Sequence, residues 1–310
     1  MDVWDVAIIG GGGAGLTAGL YASRANLKTC LFEKINTGGQ ISLTDDVENY
    51  PGFPEGITGP EISMKMEEQA KKYGTVIITE EIKGLEERNS VFVLKTAGKE
   101  YFSKTIILAS GASPRKVGVP GERELTGKGV SYCATCDGAF FKNKQIVVVG
   151  GGDSALQEGL FLTRFASKVN VIHRRDKLRA SPILQDRAFK EPKIEFIWDT
   201  VVDSIQGANN KVDQIKLKNL KSNEIRDFKT DGVFVFVGHD PETKYIGDFV
   251  KLDEKGYVIA DPVMMQTSRK GVFAAGEVRT GAVKQLVTAC GEGCAAALQA
   301  QYYLENLENH

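Results

Sequence analysis

The order strand, glycine turn, helix, strand occurs twice in this chain, first from residue 4 and again from Gln145, and two Pro/Gly-rich segments cross between the parts so defined. These observations predict an α/β protein of two Rossmann-like three-layer domains, each with a small antiparallel β-meander, the second inserted in the first. In the first unit the apolar residues 4–9 run into Gly10-Gly11-Gly12-Gly13-Ala14-Gly15, then a helical stretch, Leu16 to Ala25, and a second apolar run, Lys28 to Phe32, closed by Glu33. In the second unit Ile146-Val147-Val148-Val149 leads into Gly150-Gly151-Gly152-Asp153-Ser154-Ala155, a helix to about Phe165, and Val169-Asn170-Val171-Ile172, closed by His173. The spacing from first glycine to closing residue is the same in both, Gly10 to Glu33 and Gly150 to His173.

A single glycine-rich turn is a weak signal, but two in matching strand-helix-strand contexts mark two dinucleotide sites. The glycines divide the work: one makes the tight turn, one lets the backbone approach a pyrophosphate, and one, here Gly15 or its counterpart Ala155, allows helix and strand to pack closely. The pyrophosphate meets the helix N-terminus, where N–H groups and the positive end of the helix dipole favour an anion. The closing residues distinguish the sites. Glu33 is placed to accept hydrogen bonds from adenosine ribose hydroxyls. The second unit instead offers His173-Arg174-Arg175-Asp176-Lys177-Leu178-Arg179, with cations where a 2′-phosphate would sit and planar guanidinium groups suited to it. That pattern points to NADPH.

Ser131-Tyr132-Cys133-Ala134-Thr135-Cys136-Asp137-Gly138 lies just before the second unit, a context in which Cys-x-x-Cys reads as a redox pair. A zinc site would require a second cysteine pair or clustered histidines, and His173, His239 and His310 are isolated in the sequence; no metal is expected. Cys290 and Cys294 fall on one face of a predicted helix and Cys30 in an apolar strand, where packing outweighs ligation.

Val91 to Lys95 and Lys211 to Lys221 alternate in polarity and read as the meanders, and Lys65 to Lys72 as the wet face of an amphipathic helix. Thr105 to Gly111 and Gly232 to Gly238 are apolar strands that each close the sheet of their own unit; the Pro/Gly-rich 113–121 and 239–243 that follow them are the linkers. The 310 residues suffice for two domains, and 39 basic against 40 acidic residues leave a formal net charge of -1. That balance offers no excess cation for nucleic acid or an anionic membrane. Without a charged n-region or an apolar h-region before the first strand, the expected location is cytoplasmic.

The chain resembles the low-molecular-weight thioredoxin reductase family. The matching segments are Gly10 to Gly15, Gly38-Gly39-Gln40, Glu48-Asn49-Tyr50-Pro51-Gly52, Tyr132 to Gly138, His173 to Ala180, Gly238-His239-Asp240-Pro241 and Gly271-Val272-Phe273-Ala274-Ala275-Gly276-Glu277. The resemblance implies an FAD domain of residues 1–114 and 245–310, an inserted NADPH domain of residues 115–244 that also carries the dithiol, a homodimer, and thioredoxin as substrate. It further implies that Gly10, Gly12, Gly13, Ala14, Gly15, Glu33, Gly39, Gln40, Asn49, Gly111, Gly276, Glu277 and Gln285 hold FAD. Gly150, Gly152, Asp153, Ser154, Ala155, His173, Arg174, Arg175 and Arg179 would hold NADPH. Cys136 would face the flavin, Cys133 would attack the partner disulfide, and Asp137 would serve the thiols as acid and base, with the NADPH domain rotating between half-reactions. Glu277 departs from the family's usual Asp. Three alternatives remain open at this level: a reductase of another disulfide partner, one fed by ferredoxin, and a nucleotide-binding redox sensor. The first unit starting at residue 4 leaves no room for an extra thioredoxin-like module, and Arg174, Arg175 and Arg179 argue against ferredoxin.

Overall fold

The computed structural model describes residues 2–43, 47 and 49–308. Glu48, within a motif quoted above, and His310 lie outside the described residues. The chain forms two units, Met1–Ser113 with Asp240–His310, and Pro114–His239. Unit 1 begins with β1 (Val3–Ile9), α1 (Gly13–Arg24), β2 (Thr29–Phe32), α2 (Gly59–Lys72), β3 (Val76–Ile78), β4 (Gly84–Arg88), β5 (Val91–Lys95), β6 (Glu100–Leu108) and β7 (Ala112–Pro114). Unit 2 then carries β8 (Val130–Ser131), α3 (Ala134–Asp137), β9 (Gln145–Gly150), α4 (Asp153–Leu162), β10 (Lys168–Ile172), α5 (Pro182–Lys190), β11 (Ile194–Ile197), β12 (Thr200–Ala208), β13 (Lys211–Asn219), β14 (Ile225–Lys229) and β15 (Gly232–Phe236). Through β16 (His239–Pro241) the chain returns to unit 1, which ends with β17 (Val272–Ala274) and α6 (Leu286–Glu308).

Each central sheet is buried on both faces, which is why its strands are continuous apolar runs. In unit 1 the order is β3-β2-β1-β6-β5-β4 with β17 also on β6. Alternate residues feed opposite layers: Val6, Ile8, Leu31 and Ile107 pack with α1 and α6, whereas Ala7, Ile9, Phe32, Ile106 and Leu108 pack with Phe92, Phe249 and Val272. Unit 2 repeats the plan with the order β11-β10-β9-β15-β8. Ile146 and Val148 face α4 and its neighbours, while Val147 and Val149 face Val202, Ile215 and Leu217 of the meander β12-β13-β14.

The two meanders differ. That of unit 2 is a separate sheet, but β4 and β5 are continuous with the main sheet of unit 1 through β6. The first residues of β6 pair antiparallel with β5, and its last pair parallel with β17, while β1 lies along its other side. The strand expected to close the sheet is therefore its centre, flanked on both sides. β15 likewise lies inside its sheet, between β9 and β8. The segment 65–72 lies in α2, whose N-terminus is capped by Thr58 accepting the Glu61 N–H at 3.2 Å. No helix among the described residues is long and apolar enough to cross a membrane.

Candidate functional site

In unit 1 the first glycine turn is forced by backbone contact. Gly10 has φ +108°, and a Cβ at Gly15 would lie 1.8 Å from the Gly10 carbonyl oxygen, so α1 can start this close to β1 only with glycine there. The N-cap residue Gly12 supplies no side-chain cap, and a Cβ placed on it would meet nothing nearer than Gly39 Cα at 3.9 Å. The helix N-terminus thus has room for an anion beside it. Gly38 donates its N–H to the Gly11 carbonyl at 2.7 Å, which lays the Gly38-Gly39-Gln40 segment on the turn. Glu33, at the end of β2, accepts the Gly11 N–H at 2.8 Å and the Lys34 N–H at 2.7 Å. Asn49 and Gln285, far apart in sequence, meet through a 3.2 Å hydrogen bond from Asn49 Nδ2 to Gln285 Oε1. The Gly276-Glu277 turn approaches α1 as well: a Cβ on Gly276 would be 3.0 Å from Ala14 Cβ. Glu277 is half-buried, and burial raises its carboxyl pKa, Lys284 opposing and Glu292 reinforcing the shift. Gly111 has φ +72° and accepts the Glu242 N–H at 3.0 Å.

In unit 2 the corresponding turn tolerates Ala155 where unit 1 needs Gly15. Gly152 again caps its helix without a side chain, and a Cβ there would meet nothing within 4 Å. The basic loop is tied to this turn by backbone bonds: Arg179 and Ala180 donate to the Gly151 carbonyl at 2.8 and 3.2 Å, and Ser181 donates to Asp153 Oδ1 at 2.5 Å. His173 is buried, its Nε2 facing the Lys177 carbonyl at 3.0 Å, and a Cβ on Gly151 would strike its ring. Burial and the cations Arg179 and Arg174 lower its pKa, although the Lys177 and Gly150 carbonyls oppose them. Ser154, Arg174, Arg175 and Arg179 are exposed, and no carboxylate among the described residues pairs with these three guanidinium groups.

Cys133 and Cys136 form a disulfide with a Cα–Cα distance of 5.4 Å, within the ordinary range for such bridges. Cys133 is the N-cap of α3, its Sγ accepting the Cys136 N–H at 3.2 Å. That contact also suits a thiolate. Ser131 Oγ holds the Cys133 N–H at 3.1 Å, and Asp137, half-buried, donates its N–H to the Cys133 carbonyl at 3.2 Å.

Residues 4–293 match the family described as pyridine nucleotide-disulphide oxidoreductase. The chain belongs to this family. It is 50% identical over 306 residues to a thioredoxin reductase of Bacillus subtilis (strain 168), covering 99% of this chain and 96% of that one. A thioredoxin reductase of Peptoclostridium litorale is 46% identical over 312 residues, with 99% and 98% covered. Among solved structures, thioredoxin reductase from Streptococcus pyogenes MGAS5005 overlays with a TM-score of 0.95 at 46% identity, covering 98% of this chain and 99% of that one. The Lactococcus lactis enzyme in its FR conformation overlays with a TM-score of 0.66 at 45% identity over the same shares.

Around these segments of the pyridine nucleotide-disulphide oxidoreductase chain lie residues that no motif marks. Glu122 is buried and accepts the N–H groups of Val117 and Gly118 at 2.9 and 2.7 Å and the hydroxyl of Tyr132 at 2.9 Å, anchoring the linker and the residue before Cys133. Its three donors come from two segments, so no local spacing announces it. Phe140, four residues after Cys136 in the sequence, is an exposed apolar side chain. Cys30 is in the core; Cys290 is buried, whereas Cys294 is only partly so, and both line a cavity of about 400 Å³ with Tyr21 and Tyr50. Neither Cys133 nor Cys136 lines it.

Proposed function

We propose that the protein is an NADPH-dependent thioredoxin-disulfide reductase that carries electrons from NADPH through FAD to Cys133 and Cys136 and on to thioredoxin. The observation that carries this is the Cys133–Cys136 disulfide, set between two dinucleotide turns in a chain 50% identical to a thioredoxin reductase along nearly its whole length. Bound FAD would supply the two-electron chemistry that links hydride from NADPH to reduction of the disulfide. In unit 1 the Gly10 to Gly15 turn with Gly39, Gln40, Asn49, Gly111, Gly276, Glu277 and Gln285 would hold it, and Glu33 would take the ribose hydroxyls. The fit rests on the open helix N-terminus and the close backbone approach at Gly12 and Gly39. In unit 2 the residues Gly150, Gly152, Asp153, Ser154 and Ala155 receive the NADPH pyrophosphate, and Arg174, Arg175 and Arg179 its 2′-phosphate. His173, being buried, serves that phosphate by holding the basic loop against the turn.

Once reduced, the Cys133 thiolate attacks one sulfur of the thioredoxin disulfide, whose other sulfur leaves and takes a proton. Cys136 then attacks the Cys133 side of the mixed disulfide, releasing reduced thioredoxin and restoring the Cys133–Cys136 bond. Asp137 moves the proton between these thiols. Since one unit holds both NADPH and the dithiol, and both must reach the flavin, unit 2 rotates between half-reactions about the linkers near 114–120 and 239–245. The two solved relatives of like identity but unlike TM-score, 0.95 and 0.66, support such mobility. A cytoplasmic homodimer completes the proposal. Tyr21, Met64 and Tyr302 on α1, α2 and α6 offer exposed apolar surface for the dimer contact. The test is continuous consumption of NADPH with oxidised thioredoxin in a panel of disulfide proteins and with NADH as comparison. A single reduction without turnover would instead indicate a sensor.

A further inference from the structure

Arg279 and Glu292 form an ion pair that is almost wholly buried, with side-chain exposures of 9% and 12%. Arg279 Nε donates to Glu292 Oε2 at 2.8 Å and Nη2 donates to Oε1, a two-pronged contact. The same Oε2 accepts a third donor, the Gly276 N–H, at 2.7 Å. Replacing a buried pair by apolar groups is often neutral or stabilising, so packing alone is a poor reason for charges here. What the pair grips is more telling. Gly276 has φ +75° and no side chain with which to fix the Gly276-Glu277 turn, and Arg279 returns its own N–H to the Gly276 carbonyl at 3.3 Å. Glu292 is followed in α6 by Gly293, whose absent Cβ would lie 2.1 Å from the Ala14 carbonyl oxygen. Consecutive residues of one helix therefore hold the turn at Gly276 and the first turn of α1, two backbone segments that lie against each other at Ala14.

We propose that Arg279 and Glu292 are positioning residues for FAD, setting the Gly276-Glu277 turn against the N-terminus of α1 so that both meet the cofactor together. This rests on the reading of unit 1 as the FAD site. Arg279 aims the Glu292 carboxylate through its two-pronged contact; Glu292 fixes the turn through the Gly276 N–H. Neither needs to touch the cofactor.

The experiment is FAD titration of the flavin-stripped full-length protein, followed by flavin fluorescence, with thermal midpoints of stripped and reconstituted forms. Glu292→Ala is expected to weaken FAD binding by about tenfold or more, the worth of a hydrogen bond to a charged group, and to shrink the rise in midpoint that FAD produces. Glu292→Gln, which keeps an acceptor for Gly276, should lose less. NADPH affinity, which belongs to unit 2, should not change. An equal fall in the midpoints of stripped and reconstituted protein with unchanged FAD affinity would show that the pair is merely structural. Should Glu292→Ala fail to fold, Arg279→Lys keeps the charge without the two-pronged contact, and unaltered flavin affinity and fluorescence in it would overturn the proposal. Wild-type protein that takes up no FAD would sink the functional reading itself, and this inference with it; wild-type protein that binds FAD beside variants that bind it equally well sinks the inference alone.

Discussion

At the end of β10 the guanidinium groups of Arg174 and Arg175 stand exposed and unpaired among the described residues. A 2′-phosphate would give each a charge-assisted bond. Replacing both by Gln should therefore cost about tenfold to a thousandfold in NADPH affinity and leave NADH nearly untouched; equal losses for the two in titrations would refute the assignment. The thiols differ in a testable way too. Serine at either Cys133 or Cys136 should abolish thioredoxin reduction and spare flavin reduction by NADPH. Cys133→Ser, which keeps the thiol assigned to the flavin, should alone show long-wavelength absorbance. If Cys136→Ser shows it instead, the roles are reversed. For Glu277 the sign follows from its raised pKa. Below the ordinary carboxyl range the group is protonated in folded and unfolded chains alike and costs nothing; as the pH rises past its raised value, the folded chain must hold a buried charge. Glu277→Gln should thus stabilise the flavin-stripped protein at neutral pH, with the gain vanishing toward acid, as thermal midpoints across a pH series will reveal. The glycines, Glu33 and the dithiol were legible in the sequence because each chemistry demands residue types at fixed local spacing. Glu122 and the Arg279–Glu292 pair were not, since what they hold is brought near only by the tertiary fold.

At the scale of elements, α1 and α4 were readable from their glycine turns, and the alternation along β1 and β9 is the alternation of two packed layers. The reading of β6 fell short. Thr105 to Leu108 look like an ordinary buried strand, but Glu100 to Ser103 extend it into a second, antiparallel partnership with β5, and hydropathy carries no record of which strand lies alongside. The cysteine-bearing segment of α6 was read as a helical face, while its contact with α1 was hidden, because a helical glycine has no distinctive pattern until its neighbour is known. That contact makes a sharp test. Gly293→Ala would drive a methyl group into the Ala14 carbonyl, backbone against backbone. It should cost roughly 1–3 kcal/mol of stability and loosen FAD, measured by denaturant unfolding and flavin release; a neutral outcome would mean that α6 shifts freely along α1.

For the whole molecule, the insertion was visible in the sequence as two repeats, the second flanked by two linkers, whereas the strand that completes unit 1 was not, because Val272 to Ala274 is too short to stand out. If unit 2 must rotate, a reversible crosslink between the units should block steady-state turnover while one half-reaction persists. Full turnover in the completely crosslinked protein would rule the rotation out. The place of β17 has a consequence of another kind, for the making of the protein. It pairs with β6 across the entire length of unit 2, and α6, which covers the same sheet, comes later still. On the ribosome, then, the first part of unit 1 emerges with its central strand lacking a neighbour and one face only partly covered, by α1 and α2 without α6. The inserted unit, built from one uninterrupted stretch, has all its strands as soon as β15 has left the exit tunnel, and its closures are shorter. The later domain in the sequence is thus expected to fold first, while the earlier one waits, partly formed, for the last residues to be synthesised.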